Sequence, residues 1–373
     1  MKTRRLAFVF AVALTVLLLT ACVPIQPPTP MPGAEATAVP AEEPTAAPKE
    51  EAAPVEIDPE KTVVAVPVDA APTLDGIADD AVWADAPALA VEVADGANAG
   101  ETTVNLKAVY TQDMIYILAT WADPTESFIR SPWEKQADGT WAKLKDPDDR
   151  GGDNNLYYED KMAMIWTIDD SIPRFKGMGC YAACHDGENP DVKPFGNKYT
   201  QEGMGDIWHW KSVRNIGQMD DQYLDSVQYS ADTPEAGRHG DPKDGGGYVD
   251  NQTEDKTLPM WMGPEGFPKD GSPGAILDSE KMEFDDSLFA PGDRVPGIVK
   301  SPFTGDRGDI AAEWKWADGV WTVELSRALV TGSEFDVQFG DLTQPYYFGV
   351  AIFENAQVRH GYHDSSRTLV FQP

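Results

Sequence analysis

The stretch Thr103-Val-Asn-Leu-Lys-Ala-Val-Tyr110, followed after Thr111-Gln112-Asp113 by Met114-Ile-Tyr-Ile-Leu-Ala-Thr-Trp121, decides the fold class. Both runs are dense in β-branched and aromatic side chains, which suit a pleated, half-buried surface, and Gln112-Asp113 between them is turn chemistry. The pair predicts an antiparallel hairpin. A second is predicted where Asp318-Gly319 separates Trp314-Lys-Trp316 from Val320-Trp-Thr-Val323. Further short strands are expected at 62–68, 161–168, 346–353 and 368–371, with the second hairpin's return strand over 320–325, and no segment sustains a helical period. The economical architecture is all-β, an antiparallel β-sandwich with long loop insertions.

Working outward from the hairpin, residues 1–21 read as a lipoprotein signal peptide. Lys2, Arg4 and Arg5 precede an apolar run over 6–19 that is short for a bilayer span. Leu19-Thr20-Ala21-Cys22 resembles the bacterial lipobox, in which Cys22 is lipidated and becomes the first mature residue. Residues 22–60 are rich in Pro, Ala, Thr and Glu, with too few large apolar side chains to repay the entropy of ordering. They are expected to be a disordered tether. Residues 61–373 form the folded domain, and within it a Gly-, Pro- and Asp-rich stretch at about 186–309 is expected to be loops packed over a site. No later stretch is apolar enough to span a membrane, so the lipid is the single expected membrane contact, at the periplasm or cell surface.

The chain has 30 basic and 62 acidic residues, a formal net charge of −32. Such a surface repels nucleic acid and anionic lipid; it would steer basic partners, or simply keep the protein soluble.

The chemistry lies in Met178-Gly-Cys180-Tyr-Ala-Ala-Cys184-His185. Cys22, Cys180 and Cys184 are the chain's three cysteines, so nothing is left for a disulfide framework. Two thiols can add to the vinyl groups of a haem, and a histidine directly after the second can present a ring nitrogen to the iron. The usual attachment motif has two residues between the cysteines, and this one has three. The reading is one covalent haem c in a protein that carries electrons. A zinc or structural site would lack a fourth ligand, and a redox dithiol would leave His185 unexplained.

Other motifs say less. His209 lies between Trp208 and Trp210, so a strand puts both indoles on one face and the imidazole on the other. There it would hydrogen-bond a haem propionate or, the commoner outcome, pack as a satisfied interior histidine. Met260-Trp-Met262 offers thioethers to iron, although core filling is commoner. Asp146-Pro-Asp148-Asp-Arg150-Gly151 begins like a calcium loop but has Arg150 at a ligand position and Tyr157 where a bidentate glutamate belongs. That motif is rejected, which leaves open only a looser calcium site in the acidic loops. There is no phosphate-binding Gly-rich loop, no Gly-x-Ser-x-Gly elbow and no metalloprotease helix, and no acidic pair is placed by spacing as a catalytic acid and base.

Two ends of the domain carry a resemblance. Pro72-Thr-Leu74-Asp75-Gly76-Ile-Ala-Asp79-Asp-Ala-Val-Trp83, with the strands that follow it, resembles the opening of family 9 carbohydrate-binding modules. It resembles equally the haem-binding subunits of ethylbenzene dehydrogenase and similar dimethyl sulfoxide reductase-type molybdoenzymes, which share the β-sandwich. Further blocks resemble the haem-binding branch: Glu159-Asp160-Lys-Met162-Ala-Met164-Ile-Trp166, Phe175-Lys-Gly-Met178-Gly179 and Asp206-Ile-Trp208-His209-Trp210-Lys211. In b-type members of that branch the iron is held by a methionine of the Met-Gly block and a lysine near the C-terminus. The resemblance therefore implies Met178 as a ligand, and it sets His363, in Arg359-His360-Gly361-Tyr362-His363, about where the lysine is expected. Cys180 and Cys184 are additions that make this chain look like a c-type variant. For the second axial ligand the order is His363, then Met178, then His360.

The expectation is a lipid-anchored, extracytoplasmic c-type cytochrome, more an electron-transfer subunit than a catalyst. Its implied partners are redox proteins, a molybdoenzyme or another cytochrome. A carbohydrate-binding lipoprotein using Trp208, Trp210, Trp261, Trp314 or Trp316 as stacking platforms is the alternative, and a haem enzyme or gas sensor is a third.

Overall fold

The structure, a computed structural model, describes residues 58–98, 100–149, 155–186 and 197–373. The expected signal peptide, Cys22 and the expected tether up to residue 57 lie outside the described residues. Among those described, no helix is long and apolar enough to cross a membrane.

Thirteen strands make the main sheet: β1 (Thr62–Pro67), β2 (Leu89–Val93), β3 (Thr102–Tyr110), β4 (Met114–Ala122), β5 (Lys161–Thr167), β6 (Gly205–Lys211) and β7 (Asp220–Leu224). They continue with β8 (Arg238–Gly240), β9 (Ala311–Ala317), β10 (Val320–Ala328), β11 (Tyr346–Phe353), β12 (Gly361–Tyr362) and β13 (Arg367–Phe371). The hydrogen-bonded path runs β8-β7-β6-β5-β11-β13-β1-β3-β4-β10-β9, with β2 beside β3 and β12 beside β11. Both predicted hairpins are present, closed at Tyr110↔Ile115 and Ala317↔Val320.

Within this sheet pairing is antiparallel except at β1, which runs parallel to β13 through Val63↔Leu369 and to β3 through Ala65↔Ala108. The expected antiparallel sheet is corrected at that one strand, where the two ends of the folded domain lie side by side.

The long sheet folds over on itself into a β-sandwich. Met162, Met164, Trp166, Trp208, Trp210, Phe348 and Ile352 from one half share a core with Leu106, Ile115, Ile117, Trp121, Trp321 and Val323 from the other. The Trp210 ring lies 5.6 Å from Trp121 and 4.9 Å from Trp321. Large aromatics at the seam each remove some 150–250 Å² from water, and this apolar burial is the main force holding the layers together.

The segment before β2 seals the outer face of β3, β4 and β10. Trp83, on the four-residue helix α1 (Val82–Asp85), packs with Val109, Tyr116 and Leu118. Its indole N–H donates to Glu324 Oε1 at 2.9 Å, and the backbone N–H groups of Asp75 and Gly76 donate to Oε2 at 3.1 and 2.8 Å. Gly76 has φ of +71°, and a Cβ there would lie 2.5 Å from the Trp314 carbonyl carbon, so the turn needs glycine. The Asp75-Gly76…Trp83 motif is thus a latch built around the fully buried Glu324.

The reading of 186–309 as loops is corrected. β6, β7 and β8 come from it, and every residue of β6 is buried. Further small sheets form from Gly245–Asp250, Ile276–Leu277 and Ile298–Thr304, and from Trp261–Met262 with Met282–Glu283. They enclose a second core of Trp133, Trp141, Ile276, Val295 and Val299. Glycine and proline mark the turns between these short strands, and in the sequence they masked them.

Candidate functional site

The outer face of β5, β6, β7 and β11 is not sealed like that of β3 and β4. The residues pointing outward here are Ala163, Ile165, Ile207, His209, Leu224, Gly349, Ala351 and Phe353, and they floor a cavity of about 280 Å³. Its roof is the segment that carries the cysteine motif. A short helix α2 (Phe175–Met178) runs into a 3-10 turn over Gly179–Ala182, anchored by Phe175, Ala182 and Ala183 against Ile165, Ile207 and Leu224.

The extra residue between the cysteines is absorbed in a tight turn. The Cys180 carbonyl accepts from the N–H of Ala183 at 3.1 Å and of His185 at 3.3 Å, and the Cys184 carbonyl accepts from Asn197 at 2.6 Å. Cys180, Cys184 and His185 consequently line the same cavity. The Cys180 thiol rests over Gly349, where an added Cβ would lie 2.5 Å from its sulfur; only a strand residue without a side chain leaves that room. Burial and the neighbouring Cys184 push the Cys180 thiol above the usual range. Burial also acts to raise Cys184, but the hydrogen bond and charge of His185 outweigh it and the net shift is downward, toward the reactive thiolate.

The far side of the cavity comes from residues 357–362. His360 lines it, with its ring centroid 5.8 Å from that of His185 and 4.8 Å from Phe353. Tyr362 stacks on His185 at 4.8 Å. Burial, then the neighbouring His185, Lys161 and Arg238, push His360 down to about 3, so it is a neutral imidazole with a lone pair to offer. His209 stands on the floor. Arg238 Nη2 lies 2.8 Å from its Nδ1, so Nδ1 accepts and the proton sits on Nε2, which is buried without a hydrogen-bond partner. The expectation of a satisfied interior histidine is corrected: His209 presents a spare donor at a cavity that also contains the Arg238 guanidinium.

Two expected ligands are elsewhere. His363 lies outside the lining, held by its own turn, where Nδ1 accepts from the Ser365 N–H at 3.1 Å and Asp364 is 3.3 Å away. His360 and Tyr362, on either side of Gly361, both line the cavity, while His363, just past the end of β12, does not. Met178 is also outside it; its sulfur accepts from Arg174 Nη1 at 3.6 Å and its side chain packs beside Phe175. Met260 is exposed, Met262 faces a different pocket, and neither reaches the histidines. Trp208 and Trp210 are fully buried, while Trp314 and Trp316 pack against the main core and Trp261 against the second one.

Sequence reading missed Arg238, Gly349 and Tyr362. Tyr362 was recoverable from its two-residue spacing to His360, whereas Arg238 and Gly349 reach the site only through the sheet order.

The donor set fits a haem tested against these residues. Two thiols and His185 stand on one wall, a second neutral imidazole stands within reach, and the floor is apolar. Arg238 and the spare N–H of His209 suit the carboxylates of the macrocycle rim. A tetrahedral zinc site is poorly served, since Cys180 lies buried against a strand.

Over residues 80–365 the sequence matches the family described as Ethylbenzene dehydrogenase. No curated protein sequence matches it. Among solved structures, a family 9 carbohydrate-binding module from Caldicellulosiruptor kristjanssonii in complex with cellotriose is similar, with a TM-score of 0.32 and 8% identity, over 84% of this chain and 94% of that one. A putative carbohydrate-binding protein from Bacteroides uniformis is similar with a TM-score of 0.29 and 6% identity, over 84% and 99%.

Proposed function

This chain belongs to the ethylbenzene dehydrogenase family, and we propose that it is an electron-transfer protein carrying one covalent haem c in the cavity beneath the Cys180–His185 turn. The observation that carries the reading is the convergence of Cys180, Cys184, His185 and His360 on one cavity. Cys180 and Cys184 would form the thioethers, and His185 and His360 would ligate the iron, His360 taking the place first assigned to His363. The bound haem would supply a reversible one-electron couple.

The chain's own residues do the rest. Ile165, Ile207, Leu224 and Phe353 keep water from the floor, which favours the less charged state of a redox centre. Arg238, braced by Gln222 Oε1 at 2.6 Å, and His209 would orient the propionates. Tyr362, stacked on His185, holds that imidazole's plane. A lipid on Cys22 would tether the domain outside the cytoplasm, and its acidic surface would meet a basic face on a redox partner, a molybdoenzyme or another cytochrome.

The test is a pyridine haemochrome spectrum after acid-acetone extraction, on protein matured in an oxidising compartment with haem attachment machinery. Haem that resists extraction and gives a c-type band is expected. Folded protein that retains no haem overturns the reading.

A further inference from the structure

On the other face of β6 and β7 lies a cluster that electron transfer does not use. One carboxylate oxygen from each of Asp206, Asp221 and Asp336 lies within 4.8 Å of the others. Asp206 is on β6, Asp221 on β7, and Asp336 on the loop after β10. Two oxygens on opposite sides of one calcium ion, each at 2.3–2.6 Å, are about 4.6–5.2 Å apart, so this spacing matches a shared ion.

The hydrogen bonding shows which oxygens are committed. Asp206 Oδ2 accepts from Trp208 Nε1, Arg327 Nη1 and the Val337 N–H, at 2.9, 2.9 and 3.0 Å. Asp221 Oδ1 accepts from the Gln222 N–H, and Asp336 Oδ2 from the Thr331 hydroxyl. The second oxygen of each, Asp206 Oδ1, Asp221 Oδ2 and Asp336 Oδ1, is buried with no hydrogen-bond partner. A fourth carboxylate stands against the cluster. Asp241, 3% exposed, has neither oxygen partnered, although its side chain meets that of Asp336. Asp309 faces the group from its exposed rim. Asp206, Asp221, Asp336 and Asp309 thus all act on the Arg327 guanidinium, while Arg307, which is near Asp241, is already paired with Asp220 at 2.6 Å.

We propose that Asp206, Asp221, Asp241 and Asp336 form a site for a hard divalent cation of the calcium class. The donors are all oxygens, which excludes the thiol- and imidazole-seeking metals, and their origin on two strands and two loops suits an ion that tolerates irregular coordination. Another acidic group, Asp123, Asp160 and Glu354, is different, because it has a single orphan oxygen, Asp123 Oδ2. The ion would fasten the loop after β10 to the strands whose opposite face carries Ile207 and His209.

The test titrates CaCl₂ into the EGTA-dialysed full chain by calorimetry, with thermal unfolding followed by circular dichroism in CaCl₂ and in EGTA. Wild type should bind calcium and gain roughly 5 °C in midpoint at saturating calcium. Asp221→Asn and Asp241→Asn should each weaken binding at least tenfold and lose the calcium-dependent gain while remaining folded in EGTA, since each removes a repelling charge. Asp123→Asn should bind as wild type does. Absence of calcium binding, or binding that survives both cluster variants, or binding lost in Asp123→Asn alone, overturns the site.

Discussion

The two halves of the main sheet bury one core between them and treat their outer faces in opposite ways. On β3, β4 and β10 the outer face is sealed by Trp83 and latched through Glu324, with each oxygen of that carboxylate accepting a hydrogen bond. On β5, β6, β7 and β11 the outer face stays open as a cavity, and its polar groups are left with capacity to spare: an imidazole donor on His209, a neutral His360 and two thiols. Equivalent positions in a pleated sheet therefore serve stability on one side and chemistry on the other. The difference lies in whether the covering segment satisfies the polar groups beneath it.

The comparison breaks most readily at the thiols. Replacing both thiols, Cys180→Ser with Cys184→Ser, should abolish extraction-resistant haem, a drop of at least tenfold in the c-type band per folded chain, while leaving the sealed half intact by near-UV circular dichroism. A variant that keeps covalent haem would remove the cavity's assigned role. Next in size is the ligand exchange between His360→Ala and His363→Ala. The first should convert a six-coordinate, low-spin absorption spectrum to one with an open position, and the second should leave it unchanged; the reverse result would restore the order read from the sequence.

Glu324→Ala tests the other half. It strands the Trp83 indole N–H and two backbone donors in the interior, and should cost roughly 3–5 kcal/mol in urea unfolding without moving the haem spectrum. Equal effects on both would mean the halves are not functionally distinct. Gly349→Ala is smaller: the added methyl meets the Cys180 sulfur and should cost about 1–3 kcal/mol and lower the yield of doubly attached haem. Smallest is a pH dependence at the seam, where Asp123 after β4 meets Glu354 after β11. Burial, with Asp160 and Glu354 nearby, raises Asp123 from 3.8 to about 9. A carboxyl raised on folding contributes its stability below the unfolded value and loses it as pH rises through the folded one. Urea midpoints should fall between about pH 4 and 9, and Asp123→Asn should flatten that slope.

Local chemistry made part of this legible in advance. The hairpins, the all-β class and the face alternation of Trp208, His209 and Trp210 follow from pairs and triplets of neighbouring residues, and all are present. So does the cysteine motif, which is contiguous. What was not legible depends on partners distant in the chain. The parallel β1 pairs residues some three hundred positions apart, and Gly349 matters only because sheet order sets it beneath Cys180. His363 was preferred on its place in a family pattern, and the cavity is lined by His360 instead, which only the packing of residues 357–362 against the sheet reveals. Short strands between glycines in 186–309 carry too few residues each for their period to emerge.

The position of β1 also governs when the domain can be assembled. Its neighbours are β3 and the last strand β13, so the two halves of the sheet join through residues drawn from both ends of the folded chain. A chain emerging N-terminus first cannot complete that junction until Phe371 is available. Until then β1 has β3 alone to pair with, and residues 349–362, which line the same cavity as residues 180–185, come equally late in the chain. Strand order thus works as a clock: the turn over residues 180–185 is synthesised well before the strands that close its surroundings.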